Sequence, residues 1–194
     1  MSRVAPTPGS KALYFLCIAL SSFLLYLDIN YKSLAEEIKK YLLNNPHLIE
    51  RGDGNWRVAT PWLLENFPHI KDLFEWEIEF AGIFVSHTSE GSVHIDNDEK
   101  PVRINFPIMN CHDTVTKYFK RTGDTIKGKQ TNGVSYHGVD TDKLEEVDYF
   151  VLDRPVAMRV LEPHQVCVNH ENYPRVSCTI QFKQDIEHLL KEKI

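Results

Sequence analysis

His94-Ile95-Asp96 sets an imidazole and a carboxylate two residues apart in a short apolar stretch, Val93 to Asp96, that reads as a strand. Successive strand side chains point to opposite faces, so His94 and Asp96 project together while Ile95 turns away. Both can reach one metal. Asp98 is the poorer carboxylate, because it lies further along in a polar turn. A third ligand has to come from another strand, and Pro163-His164-Gln165-Val166 offers His164 at the start of an alternating segment. His170 is the rival imidazole, but it falls in the turn expected at Asn169-His170. Two imidazoles and one carboxylate form the facial arrangement that leaves open positions on non-haem Fe(II).

Further along, Arg175, Ser177, Thr179 and Gln181 share one face of the last strand, and Val176, Cys178, Ile180 and Phe182 share the other. A hairpin turning near Asn169-His170 is expected to set Arg175 opposite His164, since antiparallel partners lie symmetrically about a turn. The guanidinium then faces the metal pocket. Bidentate capture of a carboxylate is the chemistry it suits, with the Ser177 hydroxyl adding a hydrogen bond.

These residues need strands to hold them. The segments Trp76 to Ser86, Val93 to Asp96, Val102 to Ile108, Thr114 to Phe119, Tyr149 to Leu152, Val156 to Leu161, Gln165 to Val168 and Arg175 to Phe182 read as strands between Gly, Asn, Asp and Pro turns. Helices precede them. Leu34, Ala35, Ile38, Tyr41 and Leu42 form one apolar stripe, with Ser33-x-x-Glu36 as a capping box and Asn44-Asn45-Pro46 as the stop. Thr60-Pro61 opens a second, short helix as N-cap and first-turn proline. At the end, Gln184 to Lys193 carries Ile186, Leu189 and Leu190 at helical spacing. The polar, glycine-containing stretch Lys120 to Glu146 reads as a solvated excursion between strands, with a substrate lid as the functional alternative. His87, His112 and His137 have no partner pattern and receive no role, and Trp56, Trp62 and Trp76 read as packing anchors.

The expected fold is therefore mainly β with flanking helices, as a single domain over 1–194: N-terminal elements over 1–75, a β core over 76–183 and a C-terminal helix over 184–194. The chain is 42% hydrophobic and 25% charged, which excludes a disordered or collagen-like protein. A net charge of -5 gives no excess of cations to displace counterions from nucleic acid. Cys17, Cys111, Cys167 and Cys178 make no Cys-x-x-Cys pair and suit a reducing, cytoplasmic setting. The uncharged run Ala12 to Leu27 is the awkward part. As a helix it spans about 24 Å, against about 30 Å of bilayer hydrocarbon. It is expected instead to form two buried strands broken at Ser21-Ser22, with an N-terminal membrane anchor as the alternative.

Taken together, His94-x-Asp96, His164 and Arg175-x-Ser177 resemble the pattern of the Fe(II)- and 2-oxoglutarate-dependent oxygenases, which have a double-stranded β-helix (jelly-roll, cupin-like) core. The likeness runs from about Phe80 to Phe182. It implies that His94, Asp96 and His164 bind iron and that Arg175 and Ser177 bind the remote carboxylate of 2-oxoglutarate. Arg103-Ile104-Asn105-Phe106-Pro107 is similar to the strand that follows the His-x-Asp in many members, and Asn105 or Tyr118 is then expected to line the cosubstrate pocket. The implied reaction consumes O2 and 2-oxoglutarate, releases succinate and CO2, and hydroxylates a peptidyl or small-molecule substrate. Two other readings stand beside it: a cupin-like metal enzyme that does not use 2-oxoglutarate, and a noncatalytic binding module.

Overall fold

The computed structural model describes residues 22–50, 56–57, 60–87, 91–96, 99–120, 125–129, 135–139, 144–169 and 174–191. Their strands are, in chain order, β1 (Leu24–Tyr26), β2 (Trp56–Arg57), β3 (Ile78–Ser86), β4 (His94–Asp96), β5 (Val102–Met109), β6 (Val115–Phe119), β7 (Thr125–Lys129), β8 (Ser135–Val139), β9 (Glu146–Val151), β10 (Val156–Arg159), β11 (His164–Cys167) and β12 (Arg175–Phe182). The helices are α1 (Lys32–Asn44), α2 (Thr60–Asn66) and α3 (His188–Lys191).

The strands form two six-stranded antiparallel sheets, ordered β1-β10-β5-β12-β3-β2 and β7-β8-β4-β11-β6-β9. From β3 to β6, and again from β9 to β12, each successive strand crosses to the other sheet. That alternation is the double-stranded β-helix, or jelly roll. The fold is mainly β with flanking helices.

Period-two alternation decides which residues face where. On β12, Val176, Cys178, Ile180 and Phe182 turn outward to a cluster that includes Ile83 and Val85 of β3, Ile104 and Phe106 of β5, and Ile38 and Leu42 of α1. The helices are thereby fixed on the outside of the first sheet. Trp62 packs edge-on against Tyr41 and Phe67, and Trp76 against Phe182, as anchors of this layer. The opposite face of β12, with Arg175, Ser177, Thr179 and Gln181, is buried between the sheets. This face of β12 is thus polar, while its apolar face packs under the helices; a second apolar cluster gathers around Tyr118, Phe150, Val156 and Met158.

Several expectations change. β11 and β12 do not form a hairpin: β11 pairs with β4 and β6, whereas β12 pairs with β3 and β5, so the link between them crosses the sandwich. Arg175 accordingly lies opposite Ser86 rather than His164. The stretch Lys120 to Glu146 is not a plain excursion, because β7 and β8 pair there as a hairpin and β8 adds to β4. Ser33 sits inside α1, whose N-cap is Tyr31 without a side-chain cap, so the capping box is not formed. The Thr60 hydroxyl bonds the backbone of Ala81 in both directions, tying α2 to β3 instead of capping the helix. Among the described residues of the C-terminal segment the helix is α3, with Ile186 buried just before it; residues 192–194 lie outside the described set. Of Ala12 to Leu27, the part within the described residues packs as expected: Leu24, Leu25 and Leu27 are buried, and β1 pairs with β10. Residues 12–21 lie outside the described set. Among the described residues no helix is long and apolar enough to cross a membrane.

Candidate metal centre

β4 and β11 are neighbours in the second sheet, and their register sets His94 directly opposite His164. The backbone around them is pinned at several points. Asp96 N–H donates to the Val160 carbonyl at 2.9 Å, and Phe119 N–H to the Pro163 carbonyl at 2.9 Å. Gly91, which leads into β4, donates to the Val166 carbonyl at 2.9 Å and accepts from Gln165 Nε2 at 2.8 Å. A Cβ at Gly91 would stand 3.3 Å from that same Val166 carbonyl, which is why the close approach suits glycine.

The result is a cluster in which one ligating atom each from His94, Asp96 and His164 lies within 4.8 Å of the others. His94 Nε2 is 3.4 Å from Asp96 Oδ1, and the two imidazole centroids are 4.5 Å apart. His94 Nδ1 is 2.8 Å from the Ser92 carbonyl and His164 Nδ1 is 2.9 Å from the Glu162 carbonyl. A carbonyl only accepts, so Nδ1 carries a proton in both rings and Nε2 is the atom left to ligate, that of His94 giving up to metal the proton it shares with Asp96. This tautomer control, the buried carboxylate and the nitrogen-rich donor set fit a first-row divalent metal.

Electrostatics hold the donors in contrasting states. Burial would raise the Asp96 pKa, but its hydrogen bond with His94 and the charge of Arg103 outweigh this and keep the carboxyl well below its ordinary range. Burial lowers His94, yet the hydrogen bond and charge of Asp96 prevail and its pKa is raised. His164 is pushed down to about 4 by burial and then by His94, so it stays neutral.

A pH dependence of the metal-free protein follows. His164 has an ordinary pKa of 6.5 and a folded value of about 4, so the unfolded chain takes up its proton first as pH falls. Stability present above 6.5 is therefore lost between 6.5 and about 4, by about 3 kcal/mol at the low end. The raised His94 works the other way, with stability lost as pH rises through its folded value. The urea midpoint is expected to fall on acidification across this window and to fall much less in His164→Gln. A midpoint that is flat from 6.5 to 4 contradicts it.

The other expected site residues lie on the interior face. Arg175 is 5% exposed and donates from Nε to Thr114 Oγ1 and from Nη1 to Ser177 Oγ, both at 3.2 Å. No carboxylate among the described residues pairs with it. Asn105 is held by Thr179, whose hydroxyl donates to Oδ1 at 2.5 Å. Tyr118 is fully buried opposite His164 on β6, but its hydroxyl donates to the Arg159 carbonyl at 2.9 Å. Its ring, not its hydroxyl, is what faces His164, at 6.2 Å between centroids. The rivals His170 and Asp98 lie outside the described residues. His112 is exposed beside Asp113. Two contributors escaped the sequence reading: Thr114, and Arg103, whose Nη1 lies 2.8 Å from Asp96 Oδ2. Arg103 shares strand parity with Asn105, the signal by which it could have been found.

No protein-family model matches this chain, and no curated protein matches it. Among solved structures it is similar to the epimerase SnoN in complex with Fe3+, alpha ketoglutarate and nogalamycin RO. The identity is 13% and the TM-score 0.49, over 80% of this chain and 77% of that one.

Proposed function

We propose that this chain is an Fe(II)- and 2-oxoglutarate-dependent dioxygenase that hydroxylates a small-molecule or peptidyl substrate. The observation that carries the reading is the meeting of His94, Asp96 and His164 from two adjacent strands, with Nδ1 of both imidazoles engaged by backbone carbonyls so that Nε2 is the atom left to ligate. Iron bound by these residues supplies the oxidation, in which O2 and 2-oxoglutarate yield succinate, CO2 and the hydroxylated substrate. His94, Asp96 and His164 would hold the iron, and its remaining positions would take cosubstrate and O2.

Arg175 supports 2-oxoglutarate over a metal enzyme without it. A guanidinium buried with, among the described residues, hydroxyl partners and no carboxylate is costly, and a dicarboxylate held at its other end by the metal would supply the missing charge. Thr114 and Ser177 hold the fork, while Asn105 and the Tyr118 ring form part of the wall. In this reading residues 76–183 are the working core of one domain, with 1–75 and 184–194 packed around it. The free thiols of Cys111, Cys167 and Cys178 support a cytoplasmic setting.

Anaerobic titration with Fe(II) and then 2-oxoglutarate tests the whole proposal. The visible charge-transfer band of the iron–2-oxoglutarate chelate is expected, and it should be missing in His164→Ala. Iron binding without that band on adding 2-oxoglutarate would leave only the metal-barrel reading.

A further inference from the structure

We propose that Arg103 is a positioning residue that keeps Asp96 a one-oxygen ligand of the metal. The inference rests on the metal-centre reading above and assigns a role to a side chain on the opposite sheet.

The two oxygens of Asp96 are already distinguished. Oδ1 faces His94 Nε2 at 3.4 Å, on the side of the ligand cluster, while Oδ2 is 2.8 Å from Arg103 Nη1. The second contact spans the sandwich, because Asp96 belongs to β4 in one sheet and Arg103 to β5 in the other. Both side chains are 13% exposed, so the ion pair is shielded from water.

Arg103 is itself located by the first sheet. Its Nε donates to Gln181 Oε1 at 3.1 Å, and Gln181 Nε2 donates in turn to Glu79 Oε2 at 3.2 Å. The guanidinium lies over the Phe80 ring, 5.6 Å from its centroid. Strand register makes this a row, with Gln181 opposite Phe80 on β3 and Arg103 opposite Met158 on β10. A planar fork fixed in this way presents a donor in a set direction, which a flexible ammonium cannot do.

The chemical consequence concerns coordination positions. The terminal torsion of an aspartate is soft, and a carboxylate beside a divalent cation binds through one oxygen or both. Two-oxygen binding would take a further position on the metal. The proposed reaction needs two open positions for the chelating end of the cosubstrate and one for O2, so the carboxylate must be kept to one. Holding Oδ2 on a guanidinium achieves that, because turning it to the metal would break a charge-assisted bond shielded from water.

X-ray absorption on the Co(II)-loaded protein shows, without turnover, whether the carboxylate binds through one oxygen or both, because two-oxygen binding draws its carboxyl carbon in toward the metal. Arg103→Met is expected to exchange one metal-bound water for the second Asp96 oxygen, seen as a carboxyl carbon closer to the metal than in wild type. Arg103→Lys, which can hold Oδ2 by a single bond but lacks the Gln181 anchor, should fall between them. General damage to packing would lower Co(II) occupancy without drawing the carboxyl carbon inward, so it does not imitate this result. An Arg103→Met spectrum that superposes on wild type overturns the proposal. Should Arg103→Met not fold, Gln181→Leu removes the anchor while keeping the ion pair, and a mixture of the two carboxylate binding modes is expected; a wild-type spectrum there overturns it equally. Wild-type protein that takes up no Co(II) through imidazole removes the metal-centre reading itself, and this inference with it.

Discussion

Asp96→Ala is expected to abolish tight binding of a divalent metal, lowering affinity at least a hundredfold. Two losses combine. The variant loses the one anionic ligand, and it leaves the Arg103 guanidinium, formerly 2.8 Å from Oδ2, without that partner beside a site meant for a cation. Outer partners of a metal site alone are worth about 10–100-fold in affinity, so a ligand that also neutralises its neighbour should exceed that range. Asp96→Asn separates the effects, because it retains an oxygen donor and a hydrogen-bond acceptor for Arg103 but no charge. It should bind metal better than Asp96→Ala and much worse than wild type. Calorimetric titration with Mn(II) under anaerobic conditions measures all three, and a dissociation constant for Asp96→Ala within a few-fold of wild type would remove Asp96 from the ligand set. Denaturation of the metal-free proteins gives an independent reading: breaking a buried pair by deleting one member costs about 3–5 kcal/mol.

Much of this centre is legible in the chain because strand alternation is a local property. The period of two places His94 with Asp96, and Arg175 with Ser177, whatever the strands pair with. It says which face a residue occupies but not which sheet the strand joins. That is why His164 could be identified as an inward imidazole while the expected β11–β12 hairpin was wrong: the connection crosses between sheets, and Arg175 meets Ser86 and Thr114 instead. The β7–β8 hairpin escaped for a different reason. It extends the second sheet from β4 by backbone pairing, with His94 opposite Gly138, so its sequence shows no continuous apolar pattern of the kind that marks a buried strand. The Ser33 cap failed because α1 begins one residue before it, and the Thr60 cap because the fold competed for its hydroxyl, which bonds Ala81 on β3. The Arg103–Asp96 pair joins residues close in sequence across two sheets, a proximity that needs the fold before it means anything.

Arg175→Ala is expected to weaken 2-oxoglutarate at least tenfold while leaving the metal affinity within a few-fold of wild type. The guanidinium has hydroxyl partners at Thr114 and Ser177 but no carboxylate among the described residues, and it is 5% exposed. Deleting one end of a desolvated, charge-assisted contact costs about 2–5 kcal/mol, and about 1.4 kcal/mol is already tenfold. Arg175→Lys should recover only part of the loss, since an ammonium keeps the charge but not the planar fork. Thermal stability under anaerobic Mn(II) reads this without turnover, because a ligand that binds only the folded protein raises the melting temperature by an amount that grows with the ratio of its concentration to its dissociation constant. Wild type should be stabilised by 2-oxoglutarate, Arg175→Ala should not be at the same concentration, and Arg175→Lys should lie between. The two variants also separate a cosubstrate role from a packing role. If Arg175 only filled space, its loss would lower the melting temperature with and without 2-oxoglutarate alike and leave the increment on adding it unchanged. That unchanged increment would detach Arg175 from the cosubstrate, even with His94, Asp96 and His164 still holding the metal.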